Sequence, residues 1–383
     1  MNPTSLTGFD CQPQTRLVFG HHALDRVGEF AKQLGARRAL LVTDKGIAAA
    51  GHPARAAAAV EQEGIAVVVF DEVRENPTTL DVARCVEVAR EAQIDLLIGL
   101  GGGSSLDTAK GCNFLLTNGG RMQDYWGVGK ATQPMLPLIA VPTTAGTGSE
   151  CQSFALISDE TTHQKMACGD LKAAAKVAIL DPLLTVSQPP RVTACTGVDA
   201  LAHALETAVT KKRTPHSMMY SREAFALCMG GIERVLADPQ DVDARAMMQL
   251  GAAYAGTAIE NSMLGAAHSA ANPLTARFGI VHGQAVGMVL PAVIAFNARF
   301  PEAQAQYLAL AAVAGMASVE ELLERLRGIL KNAGMFPAPG SVPTDDAVIQ
   351  ALAQDAARQW TAGFNPRPVG AEDFERIYRE VLG

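Results

Sequence analysis

No pair of cysteines in this chain of 383 residues is spaced as CxxC. The seven (Cys11, Cys85, Cys112, Cys151, Cys168, Cys195 and Cys228) are scattered and odd in number. That argues against a disulfide framework and for reduced thiols in a cytoplasmic protein. Long apolar runs are also missing. Glycines and charges interrupt every alanine-rich stretch before it reaches the length of a membrane span. Residues 1–5 carry neither a basic nor an apolar signal region, so no secretory leader is expected. Positive charge is nowhere concentrated. The net charge is −7, and the one compact basic run, Lys211-Lys212-Arg213, reads as a solvated helix end. No nucleic-acid partner and no membrane partner are therefore expected. The chain has no internal repeat, no GxGxxG fingerprint and no Walker A loop, so an ordinary Rossmann or P-loop assignment is not supported.

What is present is length for two cores. Apolar strands are predicted over 16–19, 39–43, 65–70, 95–100, 136–141 and 177–180, with amphipathic helices over 23–34, 54–63 and 80–92 between the first of them. Strands that are apolar throughout and alternate with helices indicate a parallel sheet covered on both faces. The character changes at Gln188-Pro189-Pro190. Beyond it, helical periodicity runs over 191–209, 217–236, 243–258, 282–297, 303–314, 319–332, 344–353 and 371–381. The expected architecture is an α/β N-terminal domain with a parallel sheet (1–188) followed by an all-helical C-terminal domain (189–383), with a cleft between them.

Two loops in the first half suit a nucleotide. Residues 101–110 (GGGSSLDTAK) follow a buried strand and open a helix. Gly101, Gly102 and Gly103 let the backbone approach a ligand, and the helix amides and dipole favour an anion, here a pyrophosphate. Ser104 is placed to cap the helix, with Asp107 at the third helical position. Residues 142–150 (PTTAGTGSE) follow the next strand and offer the hydroxyls of Thr143, Thr144 and Thr147. Both loops fall at the carboxyl ends of strands, where such sheets bind ligands. Asp44, after the strand 39–43, can accept hydrogen bonds from a ribose and repel a 2′-phosphate, which favours NAD over NADP. A helix N-cap role for Asp44 is compatible with that.

In the second half, residues 197–206 (GVDALAHALE) place Asp199 and His203 on one helix face. His268 and His282 follow in small-residue surroundings, whereas the other five histidines show no ligand spacing. One Asp and three His suit Fe(II) or Zn(II), with room for a substrate oxygen if coordination expands to five.

Taken in order, GGGSSLDTAK, PTTAGTGSE, GVDALAHALE, the His268 to His282 segment and the closing Asn365-Pro366-Arg367-Pro368 resemble the iron-containing (group III) alcohol dehydrogenases. The resemblance implies a dinucleotide-binding first domain and a metal-binding, catalytic second domain. It implies NAD and Fe(II) as cofactors, with Zn(II) as the alternative metal. Asp199, His203, His268 and His282 match the metal ligands. Gly101, Gly102, Gly103, Ser104, Asp107, Thr143, Thr144, Thr147 and Asp44 match the cofactor site, and Lys165 matches a cofactor-side lysine. The expected reaction is reversible hydride transfer between NAD and a primary alcohol or its aldehyde, in a cytoplasmic homodimer or larger homo-oligomer. His268, His282 and Asn272 are the expected catalytic side chains. Many members carry a histidine where this chain has Asn272, and an amide cannot carry a proton near neutral pH. Cys151-Gln152 is a second departure. A zinc-dependent polyol dehydrogenase of the glycerol type is the alternative. A lyase resembling dehydroquinate synthase is more distant, because the helical half lacks the basic cluster a phosphorylated substrate needs.

Overall fold

The computed structural model describes residues 8–336 and 342–383. The chain divides into two compact units, Gln12–Gln188 and Pro189–Gly383, the latter joined by the described residues before Gln12. Those residues attach through His216. The Phe9 ring stacks on it at 5.2 Å, and Cys11 Sγ meets its Nε2 at 3.0 Å. Residues 8–11 therefore pack with the helices rather than with the sheet that follows them in sequence.

The first unit holds six parallel strands: β1 (Arg16–Phe19), β2 (Arg38–Val42), β3 (Ala66–Phe70), β4 (Leu96–Gly101), β6 (Leu138–Pro142) and β9 (Val177–Leu180). Their spatial order is β1-β9-β6-β4-β2-β3. Helices α1 (Val27–Gln33), α2 (Lys45–Ala49), α3 (His52–Glu61), α4 (Thr79–Ala92) and α5 (Gly103–Asn118) connect and cover them. Side chains alternate across each strand. Leu40, Val42, Leu97 and Leu138 enter one core, while Ala39, Leu41, Leu96, Ile98 and Ile139 enter the other. This is why the inner strands β4 and β6, and β2 from Ala39 onward, are buried and apolar along their length. Strand β3 lies on one side of β2 and β4 on the other, so the winding reverses between β2 and β4. Ligands bind beyond the carboxyl ends of strands at such a reversal. Asp44 and Gly101 flank it.

A second, three-stranded sheet, ordered β5-β8-β7, was not expected from the sequence: β5 (Gly127–Val128), β7 (Phe154–Ser158) and β8 (Lys165–Gly169). Its strands show no alternation of polarity. In β7, Ala155 and Ile157 are buried while Leu156 is exposed. The difference comes from the packing of β7 on α5, not from residue type.

The second unit is helical: α6 (Pro190–Thr207), α7 (Pro215–Ala237), α8 (Val242–Glu260), α9 (Ala266–Phe278), α10 (His282–Asn297), α11 (Pro301–Val313), α12 (Val319–Asn332), α13 (Asp346–Arg358) and α14 (Ala371–Leu382). Helix α6 packs against α7, α8 and α10, and α9 against α10 and α13. Helix α9 escapes sequence periodicity because its first half, Ala266–Ala267–His268–Ser269–Ala270–Ala271, is small and buried all round, and because Pro273 lies inside it. Among the described residues, no helix is long and apolar enough to cross a membrane.

One buried cation ties the sheet unit together. Lys110, on α5, is fully buried, and its Nζ donates to Ser149 O (2.6 Å), Ser149 Oγ (2.8 Å) and Phe154 O (2.9 Å). Lys110→Met is expected to strand those acceptors and lower stability by about 3 kcal/mol. A denaturation midpoint equal to that of the wild type would show that the bonds contribute nothing net.

Candidate functional site

Asp199 and His203 lie one turn apart on α6, as the i, i+4 spacing requires, and both are buried. His203 Nε2 stands 3.6 Å from Asp199 Oδ1. Helix α9 brings His268, whose Nε2 is 3.4 Å from the same oxygen, and the first residue of α10 brings His282, whose Nε2 is 4.0 Å away. The His203 and His268 rings stack with centroids 4.8 Å apart, and the His268 and His282 centroids are 5.4 Å apart. The ligand atoms of Asp199, His268 and His282 all lie within 4.8 Å of one another, with His203 alongside. The close start of α10 depends on Gly283, where a Cβ would stand 2.1 Å from Cys195 O on α6.

The electrostatics of this cluster fit a divalent cation. Asp199 Oδ1 and His268 Nε2 are buried and make no hydrogen bond. Burial opposes ionisation of Asp199, but His203, His268 and His282 outweigh it and hold the carboxyl below its ordinary range. For His268, burial is outweighed by Glu206 and Asp199, which push the imidazole up to about 9. An O,N,N,N donor set of this kind suits a borderline metal such as iron or zinc, which would meet both orphaned atoms if bound.

Glu206 was not anticipated. It accepts from Ala267 N (2.7 Å) and from His268 Nδ1. Its signal was in the sequence: Asp199, His203 and Glu206 stand at i, i+4 and i+7, one continuous helix face.

The cofactor loops converge at the carboxyl edge of the sheet. Thr143 N donates to Gly101 O at 2.9 Å. A Cβ on Gly102 would lie 3.4 Å from Thr144 Cγ2, and one on Gly103 would lie 2.9 Å from Thr147 Cγ2, so glycine lets the two loops nest. Asp44 Oδ1 caps α2 by accepting from Ile47 N (3.0 Å), and its Oδ2 would stand 3.6 Å from a Cβ on Gly101. The hydroxyls of Thr43, Ser105 and Thr143 are buried there without a hydrogen bond. A polar ligand at this edge would have donors and acceptors ready to meet it.

Several expected roles change on inspection of the contacts. The residue that caps α5 is Gly102, so Ser104 is the second helical residue and Asp107 the fifth. The second glycine adopts the extended cap conformation and Gly103 already starts the helix. Ser104 Oγ instead accepts from Asn76 N at 3.2 Å. Asp107 is buried and accepts from Ser149 Oγ (2.7 Å) and Leu156 N (3.3 Å), which braces the second loop from beneath. Lys165 is exposed at the start of β8, opposite Ser158. Asn272 is tied to the residue that follows α13. Its Nδ2 donates to Gln359 Oε1 at 3.1 Å. Gln152 gains a clear role, since its Nε2 donates to Thr147 O at 2.8 Å and steadies the cofactor loop.

Known proteins match this chain over nearly its whole length. The sequence profile for "Iron-containing alcohol dehydrogenase" matches residues 13–182, and that for "Fe-containing alcohol dehydrogenase family, C-terminal" matches residues 193–382. The NAD-dependent methanol dehydrogenase of Bacillus methanolicus is 32% identical over 98% of this chain and 100% of its own. The chain belongs to the iron-containing alcohol dehydrogenases. The 1,3-propanediol dehydrogenase of Citrobacter freundii is 31% identical, covering 95% of this chain and 96% of its own. The alcohol dehydrogenase from Oenococcus oeni superposes with a TM-score of 0.92 at 28% identity, over 98% of this chain and 100% of that one. The enzyme is therefore an NAD-dependent oxidoreductase that interconverts alcohols and aldehydes.

The enzyme's second loop ends at a buried acid. Burial pushes the Glu150 carboxyl up to about 7, against its own backbone amide and Lys110, from the ordinary 4.5. The folded state thus holds this proton more tightly than the unfolded chain. Its contribution is fully present below pH 4.5 and is lost as the pH rises through about 7. Glu150→Gln lacks that dependence. The stability of the wild type relative to the variant should fall by about 3 kcal/mol over this window, followed by denaturant titration at each pH. A difference that stays flat would mean that Glu150 is ionised in the folded enzyme.

Proposed function

We propose that Asp199, His203, His268 and His282 hold a divalent iron, that the loops at Gly101 and Thr143 hold NAD, and that the substrate is a primary alcohol or its aldehyde. The observation that carries this reading is the convergence of three imidazoles on Asp199 Oδ1, a buried carboxylate oxygen with no hydrogen bond. The metal, when bound, supplies Lewis acidity toward an alcohol or carbonyl oxygen, and NAD takes up or returns the hydride. The protein's part is positioning. The α5 amides and dipole bind the pyrophosphate, with Ser104 at the helix start and Thr143, Thr144 and Thr147 offering hydroxyls from the second loop. Asp44 Oδ2 accepts from the adenosine ribose while Oδ1 keeps α2 capped. Asp107 acts through Ser149 to hold the second loop, and Lys165 contributes charge on the cofactor side. Asn272 commits Nδ2 to Gln359 and keeps Oδ1 as an acceptor, so it orients a hydroxyl but does not carry its proton, which leaves through water.

The names of the relatives, among them a methanol, a 1,3-propanediol and a long-chain-alcohol dehydrogenase, support a primary alcohol without fixing its length. The seven free cysteines support a reducing, cytoplasmic setting. The edge strand β1, with Leu17 and Phe19 exposed, supports a homodimer or larger homo-oligomer.

Chelation should abolish turnover on an alcohol and aldehyde panel, Fe(II) should restore it, and His268→Ala should lose both metal and activity. Full turnover by protein shown to be metal-free by elemental analysis would sink the proposal. Replacing Asp44 with Gly should raise kcat/KM for NADP relative to NAD by about tenfold or more, equivalent to about 1.4 kcal/mol. An unchanged ratio would remove Asp44 from the ribose site.

A further inference from the structure

Helix α9 begins between two side chains that come from distant parts of the helical unit. Its first amides have no acceptor within the helix. Ala266 N donates instead to Asn365 Oδ1 at 3.3 Å, and Ala267 N donates to Glu206 Oε1 at 2.7 Å. The other oxygen of Glu206, Oε2, accepts from His268 Nδ1. Asn365 is held in turn by a reciprocal amide pair with Asn297 (2.7 and 3.1 Å) and by donating to Arg367 O (2.7 Å). All three of Glu206, Asn297 and Asn365 are buried. A Cβ at Gly265 would lie 3.1 Å from both Glu206 Oε1 and Asn365 Oδ1, so the two acceptors crowd the same helix start.

We propose that Glu206 is a positioning residue of the metal centre, which fixes the tautomer of His268 and clamps the helix turn that carries it. The proposal rests on the reading of His268 as a ligand. An ionised carboxylate only accepts hydrogen bonds. Facing Glu206 Oε2, Nδ1 of His268 must therefore carry the ring hydrogen. Nε2, 3.4 Å from Asp199 Oδ1, is then the nitrogen whose lone pair would be free for a metal ion. A histidine with its Nδ1–H held by a carboxylate is also a more basic ligand. One side chain thus sets three things at once: which nitrogen is free, how the ring is turned, and where the first turn of α9 sits. Asn365 supports the same turn through its bond from Ala266 N and makes no hydrogen bond to the imidazole.

Glutamine at this position separates these roles from mere packing, because it keeps the shape but offers one acceptor and one donor. With its oxygen on Ala267 N, its amide group faces Nδ1 and drives the ring hydrogen to Nε2, where the nitrogen cannot ligate. With the amide turned over, two donors meet at Ala267 and the helix start is weakened. Either arrangement loses one of the two contacts that the carboxylate makes together.

The experiment uses the full-length protein with zinc as a diamagnetic probe. Affinity is measured by chelator competition, and the histidine ring nitrogens are followed by 15N spectroscopy. Glu206→Gln should weaken zinc binding by about 10- to 100-fold and shift the His268 signals of the zinc-loaded protein away from the Nδ1–H form. Wild-type affinity with an unaltered His268 tautomer would overturn the proposal. If E206Q does not fold, Glu206→Asp decides, since it retains the acceptor but withdraws it by one methylene. Severalfold weaker binding then supports the positioning role, and wild-type binding overturns it. His268→Ala keeps the two readings apart. If that variant binds zinc as the wild type does, His268 is not a ligand and the underlying site assignment fails, whatever Glu206 does.

Discussion

A carboxylate removed from water is the constraint on which the helical unit depends. Asp199 lies on α6 among Ala200, Leu201, Ala202 and Ala204, all buried, and an unpaired charge in such a place costs several kcal/mol. Glu206 places a second carboxylate on the same helix face. The unit meets this demand with imidazoles drawn from three helices rather than with a lysine or arginine. An arginine would close the centre with a permanent charge and five donors. Imidazoles keep nitrogen lone pairs available for a metal ion. The alanines of α6 and of α9 are part of the same solution. Small side chains let helix backbones approach until short, stiff ligands from different helices reach one point.

The sheet unit meets a different constraint, which is to bring two loops together at one edge. Its strands end together at one edge, and the reversal of winding between β2 and β4 opens a place where two loops meet. Glycine at 103 lets the loops nest, and the polar residues beneath them are spent on holding that nesting. Lys110 gathers Ser149 and Phe154 from below, Asp107 takes the Ser149 hydroxyl, and Gln152 takes the carbonyl of Thr147. Two charged residues of the first motif, Asp107 and Lys110, are buried, and hydrogen bonds tie them to the second loop and to β7.

Asn272 shows how a departure from a familiar pattern is absorbed. The amide is tied to Gln359, at the end of α13, and the neighbouring Ser269 Oγ pairs with Thr361 Oγ1 at 2.7 Å. The segment after α13 is thus fastened to the helix that carries His268 through two polar contacts one turn apart. At this position an amide, which cannot carry a proton near neutral pH, is used to fasten a segment.

The sequence by itself determined what local periodicity and composition control. The apolar strands, the helices beyond Gln188, the glycine and hydroxyl loops at strand ends, and the pairing of Asp199 with His203 all depend on neighbours within a few residues, and all were legible there. The spacing of Glu206 was legible as well, although its meaning was not. Only the tertiary structure decided the rest. It placed His268 and His282 on the same oxygen, turned Glu206 onto His268 across sixty-odd positions of chain, and assigned Asp107 to Ser149 and Asn272 to Gln359. It also revealed the small sheet of β5, β7 and β8, as well as helix α9. Those elements show no periodic pattern, because what buries them is the surface they pack against. The physical reason is the same throughout. Hydrogen-bonding partners and burial are properties of folded surroundings, and residue type at one position does not specify which distant atom will stand opposite it.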